Sequence, residues 1–152
     1  MLHEKGIFVI ENKNYSGQIY GDEEEARWLQ VQKKNGRNRE KTFYNPVWQN
    51  RTHIRNLKRF LEQEFSWDMP FISVIVFNDR AKLRRICIYS GELMVSESRK
   101  VRRRLKRKLR RSPKVFSRKQ MERISEILRP LENPGKQVEK QHGKYLARKK
   151  RK

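Results

Sequence analysis

The chain alternates between apolar runs and polar punctuation, and the period of each run predicts an element. GIFVIENK, residues 6–13, is apolar for five positions and then alternates, which predicts a strand buried at its start and open at its end. RWLQVQ (27–32) and REKTFY (39–44) alternate as half-exposed strands do, with the acidic loop GDEEEA before them. Between them stands Asn35-Gly36, the pair that suits a type I′ turn, whose two central residues both need positive φ. Val47, Ile54, Leu57, Leu61 and Phe65 make one apolar stripe at helical spacing, predicting a helix over 46–65. Asn45 suits its N-cap, and Pro46 suits the first helical position, where no amide hydrogen is needed.

PFISVIVFN (70–78) is continuously apolar and predicts a central strand covered on both faces. LRRICIYSG and ELMVS predict two more strands around Ser90-Gly91. Residues 99–111 carry Val101, Leu105 and Leu109 at steps of four, a basic helix with an apolar stripe one residue wide. Ser112-Pro113 closes it, and Ser117 opens a second helix over 118–129, with Gln120 completing a capping box. Pro130, Pro134 and Gly135 predict the end of order, leaving 132–152 as a disordered basic tail. The expected fold is α/β: a mixed sheet with 6–13 and 71–77 as core strands, flanked by helices, the hairpin around Asn35-Gly36 outside the core, and a basic helical C-terminal extension.

Composition narrows the class. At 152 residues, with 35% hydrophobic and 37% charged, the chain suffices for one domain and leaves part of itself outside any core. The lone Cys87, within the apolar ICIY, excludes an internal disulfide framework and fits a reducing compartment. No stretch reaches the ~18 apolar residues of a membrane span, and the N-terminal apolar run is too short for a signal peptide. A cytoplasmic protein is expected, with no membrane partner. The net charge is +22 and unevenly spread: residues 1–98 hold 16 Lys/Arg against 13 Asp/Glu, while 99–123 hold 14 against one. Such a block is the footprint of a polyanion, with a merely solvated face as the plain alternative. A membrane-surface role is disfavoured, because the stripe of Val101, Leu105 and Leu109 has no aromatic anchor.

Candidate chemistry lies at the end of the first strand. In an extended chain Glu11 and Lys13 point to the same face. A carboxylate there can hold Mg²⁺, and an adjacent ammonium can orient water or stabilise developing charge, the equipment of phosphodiester hydrolysis. The tripeptide alone reads more readily as a surface salt bridge. Gln49 and His53 share one helix face at i, i+4, and His53 read alone is a solvated histidine.

The wider pattern resembles the nuclease-related domain (NERD) family, a branch of the PD-(D/E)XK restriction-endonuclease-like superfamily. GIFVIENKNYSGQIYG, Trp28, FYNPVWQNRTHIRNLKRFL and FISVIVFNDRA carry the resemblance, which covers about residues 3–95. It implies that Glu11 is the metal carboxylate and Lys13 the catalytic lysine, with Gln49 beside them and Asn45 and Asn50 in the polar signature that meets nucleic acid. It also implies DNA as partner, Mg²⁺ or Mn²⁺ as cofactor, and no organic cofactor. The family pattern has an Asp on a strand before this one, whereas here the chain starts at MLHEKG. A core over 1–98 lacking its first strands is therefore expected, with weak metal binding and impaired catalysis. The alternative is a non-catalytic remnant that binds nucleic acid through Arg102, Arg103, Lys106, Arg107 and Arg110.

Overall fold

A computed structural model describes residues 1–132. The basic tail expected over 132–152 lies, past Glu132, outside the described residues. Those described divide into two compact units, Met1–Phe116 and the segment from Ser117 on.

The first unit is mixed α/β, consistent with a restriction-endonuclease-like fold. It holds two four-stranded sheets where one was expected. Strands β1 (Leu2–His3), β2 (Gly6–Lys13), β3 (Gly17–Asp22), β4 (Arg27–Lys34) and β5 (Arg37–Tyr44) precede helix α1 (Pro46–Glu62). Strands β6 (Phe71–Phe77), β7 (Ala81–Cys87) and β8 (Leu93–Glu97) and helix α2 (Ser98–Arg111) follow. The first sheet runs β1-β2-β6-β8, with β2, β6 and β8 parallel; the second runs β5-β4-β3-β7.

Strand β6 is central, as its unbroken apolar run requires, and its alternate residues face different layers. Ile72, Val74 and Val76 meet Phe8, Met94 and the Val101–Leu105–Leu109 stripe of α2. Ile75 and Phe77 enter a second core with Ile19, Trp28, Phe43, Val47 and Val95. That core corrects the expectation that the hairpin stands outside. Its tip is exposed and turns at Asn35 (φ 52) and Gly36 (φ 75), but its base contributes two buried aromatics. Trp28 stacks on Phe77 at 6.0 Å and reaches this position only because Gly21 lacks a side chain: a Cβ there would sit 2.1 Å from the indole. The alternation of β4 and β5 resembles that of a free hairpin because only one residue in two at the base is needed for packing.

Helix α1 starts where Asn45 and Pro46 dictate, with the Asn45 side chain accepting the Val47 N–H at 2.8 Å. It ends at Glu62, three residues before the apolar stripe does. The amides of Glu64 and Phe65 both turn back to the Leu61 carbonyl at 3.0 Å, and Phe65 is buried from the following loop. Val47 and Leu61 are fully buried, and side chains of this size contribute roughly 1.5–3 kcal/mol each.

The second unit contains α3 (Arg118–Glu132), opened by the expected capping box. Ser117 N–H donates to Gln120 Oε1 at 2.8 Å, and Gln120 N–H donates to Ser117 Oγ at 3.3 Å. Pro130 does not end this helix, contrary to expectation: the helix runs two residues past it, to Glu132. No helix among the described residues is long and apolar enough to cross a membrane.

Candidate active site

Parallel pairing of β2 with β6 sets Glu11 beside Ile75 and Lys13 beside Phe77, at the carboxyl end of the sheet. Both side chains point to the α1 face, as alternation requires. Lys13 Nζ donates to Glu11 Oε1 at 2.7 Å and to Gln49 Oε1 at 2.7 Å. Gln49 stands one turn into α1, so the three polar groups meet beside the helix N-terminus, whose partial positive charge favours a carboxylate. The lysine and glutamate side chains keep only 13% and 18% of their exposure, so the pair is no freely solvated surface bridge. The second oxygen, Glu11 Oε2, faces His53 Nε2 at 3.6 Å.

Asn45 and Asn50 require correction as surface contacts for nucleic acid, because both are completely buried. Asn45 Nδ2 donates to the carbonyls of Asp22, Glu23 and Glu25 at 3.2, 3.1 and 2.7 Å, folding the acidic loop against the start of α1. Asn50 Nδ2 donates to Val9 O at 2.9 Å and Ser73 Oγ at 2.8 Å, holding the helix to β2 and β6. Their polar signature builds the site from behind.

The acidic loop contains a group that sequence reasoning missed. Glu23 is buried, and its carboxylate accepts from Tyr89 N–H at 2.7 Å, Ser90 N–H at 2.9 Å, the Ser90 hydroxyl and Arg51. Burial by itself would push this carboxyl up, but the Ser90 and Tyr89 hydrogen bonds and the Arg51 charge outweigh it and hold it below its ordinary value. Nothing in three consecutive glutamates marks which of them turns inward.

Helix α2 divides its charges. Arg102, Arg103, Lys106, Arg107 and Arg110 are exposed, opposite the packing stripe. A groove of about 820 Å³ runs along four of them, Arg102, Arg103, Lys106 and Arg110, together with Arg99 and Leu109. Arg104 and Lys108 are instead tied down, donating to Val95 O at 2.8 Å and Gly91 O at 2.6 Å. The helix start is capped from a distance: Asp79 accepts from the Ser98 hydroxyl at 2.6 Å and Arg99 N–H at 2.7 Å, and those bonds hold its carboxyl below the usual range.

Among the described residues no three His, Cys, Asp or Glu side chains cluster into a ready-made metal cage. The donors at the strand end, Glu11 and the neighbouring His53, fit a divalent ion held openly, with most of its coordination left to water or substrate.

A strand-end site beside a helix N-terminus, on a sheet with three parallel strands, is consistent with a nuclease-related domain. The model of the nuclease-related domain matches residues 1–78, and the chain belongs to that family. Assignment to the PD-(D/E)XK superfamily is consistent with this match. The chain is also similar to an uncharacterized protein of Bacillus anthracis, 38% identical over 94 residues. That alignment covers 60% of this chain and 40% of the relative, so the chain spans well under two thirds of the protein it matches. No solved structure matches.

Proposed function

We propose that this chain is a DNA-directed member of the nuclease-related family, with a metal-dependent phosphodiesterase site at the end of β2. The observation that carries the reading is the bridging position of Lys13, 2.7 Å from both Glu11 and Gln49. A lysine that only balanced charge would need one partner. Here two acceptors from two elements fix the ammonium at the strand end, the preorganisation that stabilising a developing phosphoryl charge demands.

Glu11 is the carboxylate that would hold a divalent ion, and such an ion polarises a phosphoryl oxygen and acidifies bound water. Lys13 orients the attacking water or neutralises the scissile phosphate. Gln49 positions Lys13 without taking its charge. With Glu11 as the carboxylate in reach, Mg²⁺ is held weakly and turnover is slow. The exposed face of α2 supplies phosphate contacts that fix the duplex without reading its bases. The test is cleavage of duplex DNA by purified protein with Mg²⁺ or Mn²⁺. Glu11→Ala and Lys13→Ala should each abolish activity with unchanged circular dichroism, and a Glu11→Ala protein cutting at the parent rate overturns the reading.

The exposed arc of α2 also favours a second reading, a non-catalytic nucleic-acid-binding protein, because those five charges need nothing from Glu11. Binding with no metal-dependent cleavage in either the parent or the variants selects it.

A further inference from the structure

We infer that His53 is a metal ligand, and that with Glu11 it makes a carboxylate–imidazole site selective for first-row transition ions over Mg²⁺. This inference rests on the phosphodiesterase reading of the strand end and names the ion it takes.

The two oxygens of Glu11 have different surroundings. Oε1 is taken by Lys13 at 2.7 Å. Oε2 points away from the lysine, with His53 Nε2 at 3.6 Å. That separation is too long for a hydrogen bond, yet it suits two ligands of one ion. Metal–oxygen and metal–nitrogen bonds of about 2.0–2.2 Å, meeting at open angles, separate their donor atoms by roughly 3.0–3.6 Å.

The scaffold supports the same conclusion. His53 follows Gln49 by one turn of α1, so the helix that fixes Lys13 also carries the imidazole. The His53 side chain is 51% exposed, so the ring adjusts freely and the ion's remaining positions face solvent and a substrate phosphate. Lys13 stays on the far oxygen and does not compete for the ion.

Donor chemistry then sets the preference. Mg²⁺ favours oxygen ligands and near-ideal octahedral geometry, whereas imidazole suits first-row transition ions. A site with one carboxylate and one imidazole is therefore poor for Mg²⁺ and better for first-row ions, of which Mn²⁺ is the weakest binder and serves as the paramagnetic probe. The histidine stands in for a second carboxylate and changes the ion in doing so.

The experiment measures metal binding by the full chain without nucleic acid. Mn²⁺ affinity is read from loss of the free-ion electron paramagnetic resonance signal, and Mg²⁺ affinity from competition. The parent should prefer Mn²⁺ by about tenfold or more, and His53→Ala should erase that preference by lowering Mn²⁺ affinity on the order of tenfold while leaving Mg²⁺ within about twofold. In the proton spectrum, sub-stoichiometric Mn²⁺ should broaden the His53 ring resonances before those of His3. A His53→Ala protein that keeps the parent preference, or His53 resonances that stay sharp, overturns the inference. If Glu11→Gln still abolishes binding in that case, the phosphodiesterase reading stands and only the histidine's role is lost. Mn²⁺ binding indifferent to both substitutions overturns both.

Discussion

Glu23 and Glu11 are two carboxylates held near the same helix, and they have opposite fates. Glu23 is buried and saturated: two amides, a hydroxyl and a guanidinium fill its lone pairs, tying the acidic loop to α1 and to the Tyr89-Ser90 turn. Glu11 keeps one oxygen for Lys13 and turns the other toward a half-exposed histidine. A saturated carboxylate has no capacity left for a ligand, and an unsaturated one at a strand end has it by construction. What separates the structural carboxylate from the proposed ligand here is the count of donors already present, and the residue type says nothing about it.

Substitution at Glu23 should break the comparison most severely. Glu23→Ala leaves two amides and a hydroxyl without their acceptor, and a buried polar group left unpaired costs about 1–3 kcal/mol, whereas the half-exposed Arg51 turns to water. Urea melts followed by circular dichroism should show a large fall in midpoint, with any activity lost through unfolding alone. Acid should act through the same group. Its carboxyl lies below the ordinary 4.5, so the stability it contributes is complete above that value and is lost as pH falls through the folded-state value. Glu23→Gln should flatten that acid limb in a pH series of thermal melts.

Asp79 lies between the two extremes, an exposed carboxylate serving as a cap. Asp79→Ala should destabilise less than Glu23→Ala and should fray the start of α2, read as faster hydrogen exchange at Ser98 and Arg99. Glu11→Gln should be mildest for stability, about 1 kcal/mol or less, because an amide still accepts from Lys13. Its melt should nearly overlay the parent's while metal binding disappears, which sharpens the contrast with Glu23.

The basic face offers a last test that leaves both carboxylates alone. Each phosphate neutralised on duplex DNA contributes about −0.9 to the slope of log K against log salt. Changing Arg102, Arg103, Lys106, Arg107 and Arg110 to Gln should flatten that slope in anisotropy titrations without lowering the melting midpoint. The packing of α2 rests on Val101, Leu105 and Leu109, and its ties to β8 and to the turn before it rest on Arg104 and Lys108.

Local signals made much of this architecture legible in the chain. The run from Gly6 to Lys13, the Asn45-Pro46 helix start, the Asn35-Gly36 turn and the Ser117–Gln120 box each depend on a few neighbouring residues, and each stands where its pattern indicates. The misreadings share a different cause. Trp28 and Phe43 join the core through contacts with Phe77 and Val95, far along the chain, so their strands read as a free hairpin. Asn45 and Asn50 carry a polar signature whose burial is decided by Glu25, Val9 and Ser73. At the site, alternation brought Glu11 and Lys13 to one face. The approach of Gln49 to Lys13 required the packing of α1 on the sheet, which no local pattern specifies.

The parallel pairing of β2 with β6 has a consequence for synthesis. Lys13 leaves the ribosome long before its partner Phe77, and at about 5–20 residues per second the 64 residues between them take roughly 3–13 s. The hairpin of β4 and β5 closes within that interval, because its pairing is local. Gly6 and Ile7 can pair at once with β1, but the other edge of GIFVI has no partner until β6 is made, and it waits as an apolar edge of the kind that adheres to other nascent chains. The charged ENK that follows it therefore acts as a gatekeeper during translation, apart from the chemistry proposed for it in the finished protein.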